Sequence, residues 1–166
     1  DTISPVTPEI TDVSVDANGK AIISWTPSNG ADFYDIYKID SDGLLVNIAS
    51  VPGSDNLYID INSNASSISE IFAVRAYDTC GNFSDTTRLH NSINLEGVLD
   101  ACAHTISLDW NNYVNWNGGT DHYEIVINES SCGISTDDIR LEADITEFVL
   151  ENVVNSCVYD IYILAY

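Results

Sequence analysis

Basic residues are scarce in this chain of 166: five Lys and Arg stand against 26 Asp and Glu, a formal net charge of −21. Such a balance repels phosphate backbones and anionic lipid surfaces, so neither nucleic acid nor insertion into a membrane is expected. Methionine is absent and proline occurs four times. No apolar run reaches the roughly 18 residues of a membrane-spanning helix. No basic n-region with an apolar h-region opens the chain, so any export signal is expected to have been removed or to lie outside this segment. Helical periodicity is missing throughout. Also missing are HExxH, GxSxG, CxxC, EF-hand and P-loop spacings, the arrangements that metal hydrolysis, acyl transfer, zinc or redox sites, calcium binding and phosphoryl transfer require. The chain is therefore expected to be no enzyme and to carry no cofactor, no metal site and no catalytic residue. His90, His104 and His122 fall in a linker, at a turn edge and at a strand start. The adjacent Asp137 and Asp138 read as a solvated loop.

What is present is enough apolar material to fold, with 45% hydrophobic and 10% aromatic residues. The acidic surplus is shared: thirteen acidic residues precede Ile93 and thirteen follow Ser92, which suits a solvated, non-sticky surface.

The chain also repeats itself. Ala21-Ile22-Ile23-Ser24-Trp25-Thr26 matches Thr105-Ile106-Ser107-Leu108-Asp109-Trp110, and Asp32-Phe33-Tyr34-Asp35-Ile36-Tyr37 matches Asp121-His122-Tyr123-Glu124-Ile125-Val126. Val74-Arg75-Ala76-Tyr77 matches Ile163-Leu164-Ala165-Tyr166 at the same distance from its tyrosine strand. A repeat of this kind fixes the domain count at two, residues 1–92 and 93–166. The Trp-to-Tyr step is four residues longer in the second copy, which places an insertion in the loop holding Tyr113 and Trp116. Alternating segments bounded by Asn-Gly, Asp-Gly and Pro-Gly turns give seven strands in the first half: 9–15, 20–25, 33–40, 44–51, 57–61, 70–77 and 86–92. Six follow in the second: 95–99, 105–110, 122–128, 139–143, 147–150 and 159–166. The expected class is all-β, two tandem immunoglobulin-like sandwiches, with the last strand of the second absent from this fragment.

The Trp strand Ile23-Ser24-Trp25-Thr26-Pro27-Ser28, the Tyr strand after it, and Val74-Arg75-Ala76-Tyr77 resemble a fibronectin type III domain. Tyr159-Asp160-Ile161-Tyr162-Ile163-Leu164-Ala165 resembles that family's strand with its tyrosine corner, in which a Tyr hydroxyl ties the strand start to nearby backbone. The first copy has Glu70 in that place. A narrower resemblance rests on Ala76-Tyr77-Asp78-Thr79-Cys80-Gly81-Asn82, Leu99-Asp100-Ala101-Cys102 and the stretch from Leu108 to Gly119. These are similar to tandem fibronectin-type modules of secreted, gliding-motility-associated proteins of Bacteroidota, which precede a C-terminal sorting domain for type IX secretion. The resemblance implies a non-catalytic spacer or adhesion module of a larger protein, outside the cell or on its outer surface. Its partners would be other domains of the parent and a surface glycan or protein ligand. A carbohydrate-binding module, or an accessory domain of a secreted hydrolase, is the alternative. The Asp-Thr sites Asp1-Thr2-Ile3 and Asp85-Thr86-Thr87 resemble the O-glycan attachment motif of the same group.

Two sets of candidate site residues follow. Tyr113 and Trp116 are the aromatic pair that could contact a ligand. Among Cys80, Cys102, Cys132 and Cys157 three complete pairings are open. The sandwich topology favours a disulfide between Cys102 and Cys157, with Cys132 competing for either partner.

Overall fold

Alternation in Ala21-Ile22-Ile23-Ser24-Trp25 turns Ala21, Ile23 and Trp25 to one side, and in the computed structural model these three are buried while Ile22 and Ser24 are partly exposed. The structure describes residues 2–133 and 138–166. Asp1 of the first Asp-Thr site and Asp137 of the acidic pair lie outside the described residues. The chain divides into two compact units, Asp1–Ser92 with Val114–Trp116, and Ile93–Tyr113 with Asn117–Tyr166.

In the first unit β1 (Ile10–Val15), β2 (Ala21–Trp25) and β5 (Leu57–Asp60) form a three-stranded sheet in the order β1-β2-β5. The second sheet runs β4-β3-β6-β7, from β3 (Phe33–Ile39), β4 (Leu45–Pro52), β6 (Ile71–Tyr77) and β7 (Phe83–Thr86). A short β8 (His90–Asn91) also pairs with β6. Every pairing is antiparallel. Inward residues of both sheets, among them Ile10, Ile23, Trp25, Tyr34, Ile36, Phe72 and Val74, are no more than 2% exposed and make one core.

The strand expected over 86–92 is in fact split into β7 and β8. Side-chain hydroxyls are the reason: Ser84 Oγ accepts from Ala76 N at 3.0 Å and Thr87 Oγ1 accepts from Val74 N at 3.0 Å. These two N–H groups of β6 bond to side chains where a regular ladder would offer carbonyls.

The second unit repeats the plan. β9 (Leu95–Asp100), β10 (Thr105–Trp110) and β13 (Glu147–Leu150) give a sheet in the order β13-β10-β9. β11 (His122–Glu129), β12 (Ile139–Glu142) and β14 (Tyr159–Ala165) give one in the order β12-β11-β14. Its buried centre is Leu108, Trp110, Tyr123, Ile125 and Ile127, with Phe148, Leu150, Ile161 and Ile163 partly buried around them.

The duplicated motif explains why both copies fold alike. Trp25 meets Tyr34 edge to face at 5.3 Å and 62°, and Trp110 meets Tyr123 at 5.8 Å and 72°. The Tyr34 hydroxyl accepts from Ser28 N at 2.6 Å, and the Tyr123 hydroxyl from Tyr113 N at 3.0 Å. Each buried phenol thus anchors the loop that follows its tryptophan strand.

Candidate functional site

The surplus carboxylates are the first chemistry to place. Many of them fold turns. Asp16 accepts from Asn18 N and Lys20 N, Asp40 from Asp42 N and Leu44 N, and Asp100 from Cys102 N and Ala103 N. Asp78 does the same for Asn82. The Lys20 and Asn18 backbone N–H groups hold the Asp16 carboxyl below its ordinary value, and Asn82 does so for Asp78.

Three further carboxylates, Asp35, Asp60 and Glu70, are buried in the first unit. Lys38 Nζ lies 3.0 Å from Asp60 Oδ2 and 2.6 Å from Glu70 Oε1. Glu70 also accepts from Ser63 Oγ at 2.5 Å and from Asn64 N at 3.1 Å. In the second unit Tyr159 occupies the matching position, and its hydroxyl accepts from Val154 N at 3.0 Å. The corner that a tyrosine ties in one copy is therefore tied by a glutamate in the other.

Asp35 is the third. It accepts from Ser50 Oγ and pairs with Arg75 at 2.9 Å, while the Arg75 guanidinium lies over the rings of Tyr37 and Phe83. Phe33, Tyr77 and Phe83 form a row across β3, β6 and β7. Burial alone would raise the Asp35 carboxyl, but hydrogen bonds from Ser50 and Arg75 outweigh it and hold the group below its ordinary value. A depressed folded-state value adds stability that is complete above the unfolded value, near 3.8, and is lost as pH falls through the folded one. Unfolding free energy should therefore fall more steeply below about pH 4 in the parent chain than in Asp35→Asn. Equal slopes in urea titrations would contradict this role.

Each histidine is engaged in the fold. His90 is 3% exposed on β8, beside a cleft of about 400 Å³ lined by Glu9, Asp85, Thr87 and Arg88. Burial and the Arg88 charge push its imidazole below the ordinary value, against the pull of Glu9. His104 Nδ1 donates to the Val153 carbonyl. His122 stacks on Tyr166 at 4.7 Å and contacts Asp121 at 2.8 Å.

The expected disulfide is corrected. Cys132 bonds Cys157, with Cα atoms 5.6 Å apart, and Cys102 is a free, exposed thiol, as is Cys80. The reason is sheet membership. β11 and β14 are paired as far as Glu129 and Tyr159, and Ser130 N continues the contact to the Val158 carbonyl. Cys132 and Cys157 lie just past the ends of these neighbouring strands, whereas Cys102 sits in the β9–β10 turn of the other sheet. Glu129 lies within 4.8 Å of both sulfurs, but these are disulfide sulfurs and not thiolates, and its Oε1 caps the loop through Ser131 N and Cys132 N.

Two predictions arise here. Without denaturant, a thiol reagent should label two cysteines, Cys80 and Cys102; labelling of none or of all four would contradict the pairing. The bond closes a separation of 25 residues, so reducing it should lower the stability of the second unit by about 3 kcal/mol. An unchanged melting curve after reduction would count against it.

Tyr113 and Trp116 fall in different units. Tyr113 is 7% exposed in the second unit, its backbone N–H donating to the Tyr123 hydroxyl. Trp116 belongs to the first unit, partly buried, with its indole N–H donating to the Thr11 carbonyl at 2.6 Å. Inserted loops are common binding loops, which is why the sequence pointed there. The first unit's charged pairs and its aromatic row escaped notice, since their members are up to 50 residues apart in the chain.

No family model and no curated protein matches the sequence. Among solved structures the chain is similar to a Fn3-like protein from Clostridium thermocellum, at 20% identity and a TM-score of 0.46, over 54% of this chain and 93% of that one. It is also similar to a segment of two fibronectin type III domains from chicken tenascin, at 13% identity and a TM-score of 0.39, over 98% and 91%.

Proposed function

We infer that this chain is a non-catalytic spacer and adhesion segment of a larger secreted or surface-held protein. In each all-β, immunoglobulin-like unit the polar side chains go into turns, corners and strand contacts. The observation that carries this reading is the double use of the Trp–Tyr core, which gives two similar sandwiches in succession. A disulfide between Cys132 and Cys157 supports an oxidising compartment and hence a place outside the cell. Placement before a type IX sorting domain in a gliding-motility-associated protein of Bacteroidota rests on the sequence resemblance and is part of the same proposal. A glycan-binding role for Tyr113 is not carried forward, because its ring is buried.

The test is an exchange in the parent protein. Replacing residues 1–166 by two unrelated sandwiches of equal length should preserve export and surface exposure, as scored by protease access on intact cells. Loss of the parent's surface activity with export intact would contradict a spacing role.

A further inference from the structure

One cluster in the first unit sets a nucleophile against an electrophile. Lys38, on β3 of one sheet, places its Nζ 3.0 Å from Oδ2 of Asp60, the last residue of β5 in the other sheet. The same nitrogen lies 2.6 Å from Oε1 of Glu70, just before β6, and 5.5 Å from the centroid of the fully buried Phe72 ring. Both carboxylates are buried, while the lysine side chain keeps 18% exposure, enough for a small product to leave. The two acids are held differently. Glu70 takes three donors over its two oxygens: Lys38 Nζ, Ser63 Oγ and Asn64 N. Asp60 Oδ1 accepts from Asn62 N at 3.0 Å, and its Oδ2 accepts, among the described residues, from Lys38 alone. The Asn62 N–H thus polarises the Asp60 carboxyl group at one oxygen and leaves the other free to depart.

We propose that Lys38 and Asp60 condense into a side-chain amide that joins the two sheets of the first unit, with Glu70 carrying the protons. Glu70 Oε1 takes a proton from the ammonium, and the neutral Nζ attacks Asp60 Cγ while the Asn62 N–H meets the charge that builds on Oδ1. The Nζ–Cγ bond forms and the Cγ–Oδ2 bond breaks. Oδ2 leaves as water with two protons from the nitrogen, both relayed by Glu70, which ends as the carboxylate it began. Hydrogen bonds to Glu70 and Asp60 hold the ammonium above its ordinary value, so the free amine is scarce and the step is slow. Contact between the reacting groups offsets this scarcity, because oriented groups in one molecule react as if at about 100,000 M or more. Burial of both carboxylates keeps bulk water from reversing the step. The ion pair of the structure is the state before condensation. The amide bridges residues 22 apart and ties β3 to β5, so the sheets stay joined when the chain is unfolded or pulled.

The test is the intact mass of the whole chain. Newly synthesised protein, kept native and weighed at intervals after denaturation and reduction, should lose about 18 Da, the mass of one water. Trypsin should then no longer cut after Lys38, and a chymotryptic digest should hold a branched fragment joining Lys38 to Asp60. Lys38→Arg and Asp60→Ala should keep the full mass. Glu70→Gln leaves the reacting pair in place and should slow the loss about 100-fold or more, with the β6 amides still protected from exchange. A folded parent chain whose mass never changes would overturn the proposal. So would a loss that persists in Lys38→Arg, which would belong to a succinimide at Asp42-Gly43, a branch mapped to Glu70, or Glu70→Gln condensing at the parent rate.

Discussion

Glu70→Ala is expected to lower the unfolding free energy of the first unit by about 3 to 5 kcal/mol. Its carboxylate ties the start of β6 to Ser63 and Asn64 and shares the Lys38 ammonium with Asp60, at side-chain exposures of 5% for both acids and 18% for the lysine. Removing it strands the Ser63 hydroxyl and the Asn64 N–H in a poorly hydrated site and leaves the ammonium with one carboxylate partner. Burial alone would lower the Lys38 ammonium, but the hydrogen bonds it donates to Glu70 and Asp60 outweigh it and hold the group above its ordinary value. A raised value adds stability that is complete below the unfolded value, near 10.5, and is lost as pH rises through the folded one. Glu70→Gln keeps one acceptor oxygen, which can serve Ser63 or Asn64 but not both, and should cost less, about 1 to 3 kcal/mol. Urea unfolding followed through the β2 and β6 amides measures both. A loss under about 1 kcal/mol for Glu70→Ala would show that the corner is not held by the carboxylate.

Trp25→Ala and Trp110→Ala should each cost about 3 to 5 kcal/mol in their own unit, because each empties the centre of a core. The indoles are 2% and 3% exposed, and each is the edge-to-face partner of a buried tyrosine. Both indole N–H groups are buried without a hydrogen-bond acceptor among the described residues. The contribution is therefore packing and not polar pairing, so the phenylalanine variants, Trp25→Phe and Trp110→Phe, should recover a large part of the loss. Calorimetry on the four variants tests this. A cost under about 1 kcal/mol for either alanine variant would place that tryptophan outside the core.

Strand placement was legible because one face of nearly every strand is apolar. Ala21, Ile23 and Trp25 take the buried face of β2 while Ile22 and Ser24 are partly exposed, and β10 and β13 fall on the residues the alternation picks out. The equal step from Tyr34 to Ala76 and from Tyr123 to Ala165 carried the repeat, and the similarity around Tyr159 carried its corner, which the hydroxyl bond to Val154 bears out. Long-range pairing was harder to read. Lys38, Asp60 and Glu70 are scattered through a chain with 26 carboxylates, and only the meeting of β3, β5 and the start of β6 brings them together. The split of β7 from β8 depends on two hydroxyls reaching β6, a contact that hydrophobic alternation does not encode. Disulfide choice failed for a related reason: loop position at one pole does not say which strands are neighbours, and Cys132 follows the strand paired with β14.

The most direct measurement is the set of through-space proton contacts between indole and phenol rings in an NMR spectrum of the whole chain. Contacts should join Trp25 to Tyr34 and Trp110 to Tyr123, with both tyrosine hydroxyl protons exchanging slowly. Contacts for one pair only, or a Trp25-to-Tyr123 contact, would mean that the two halves do not build the same core.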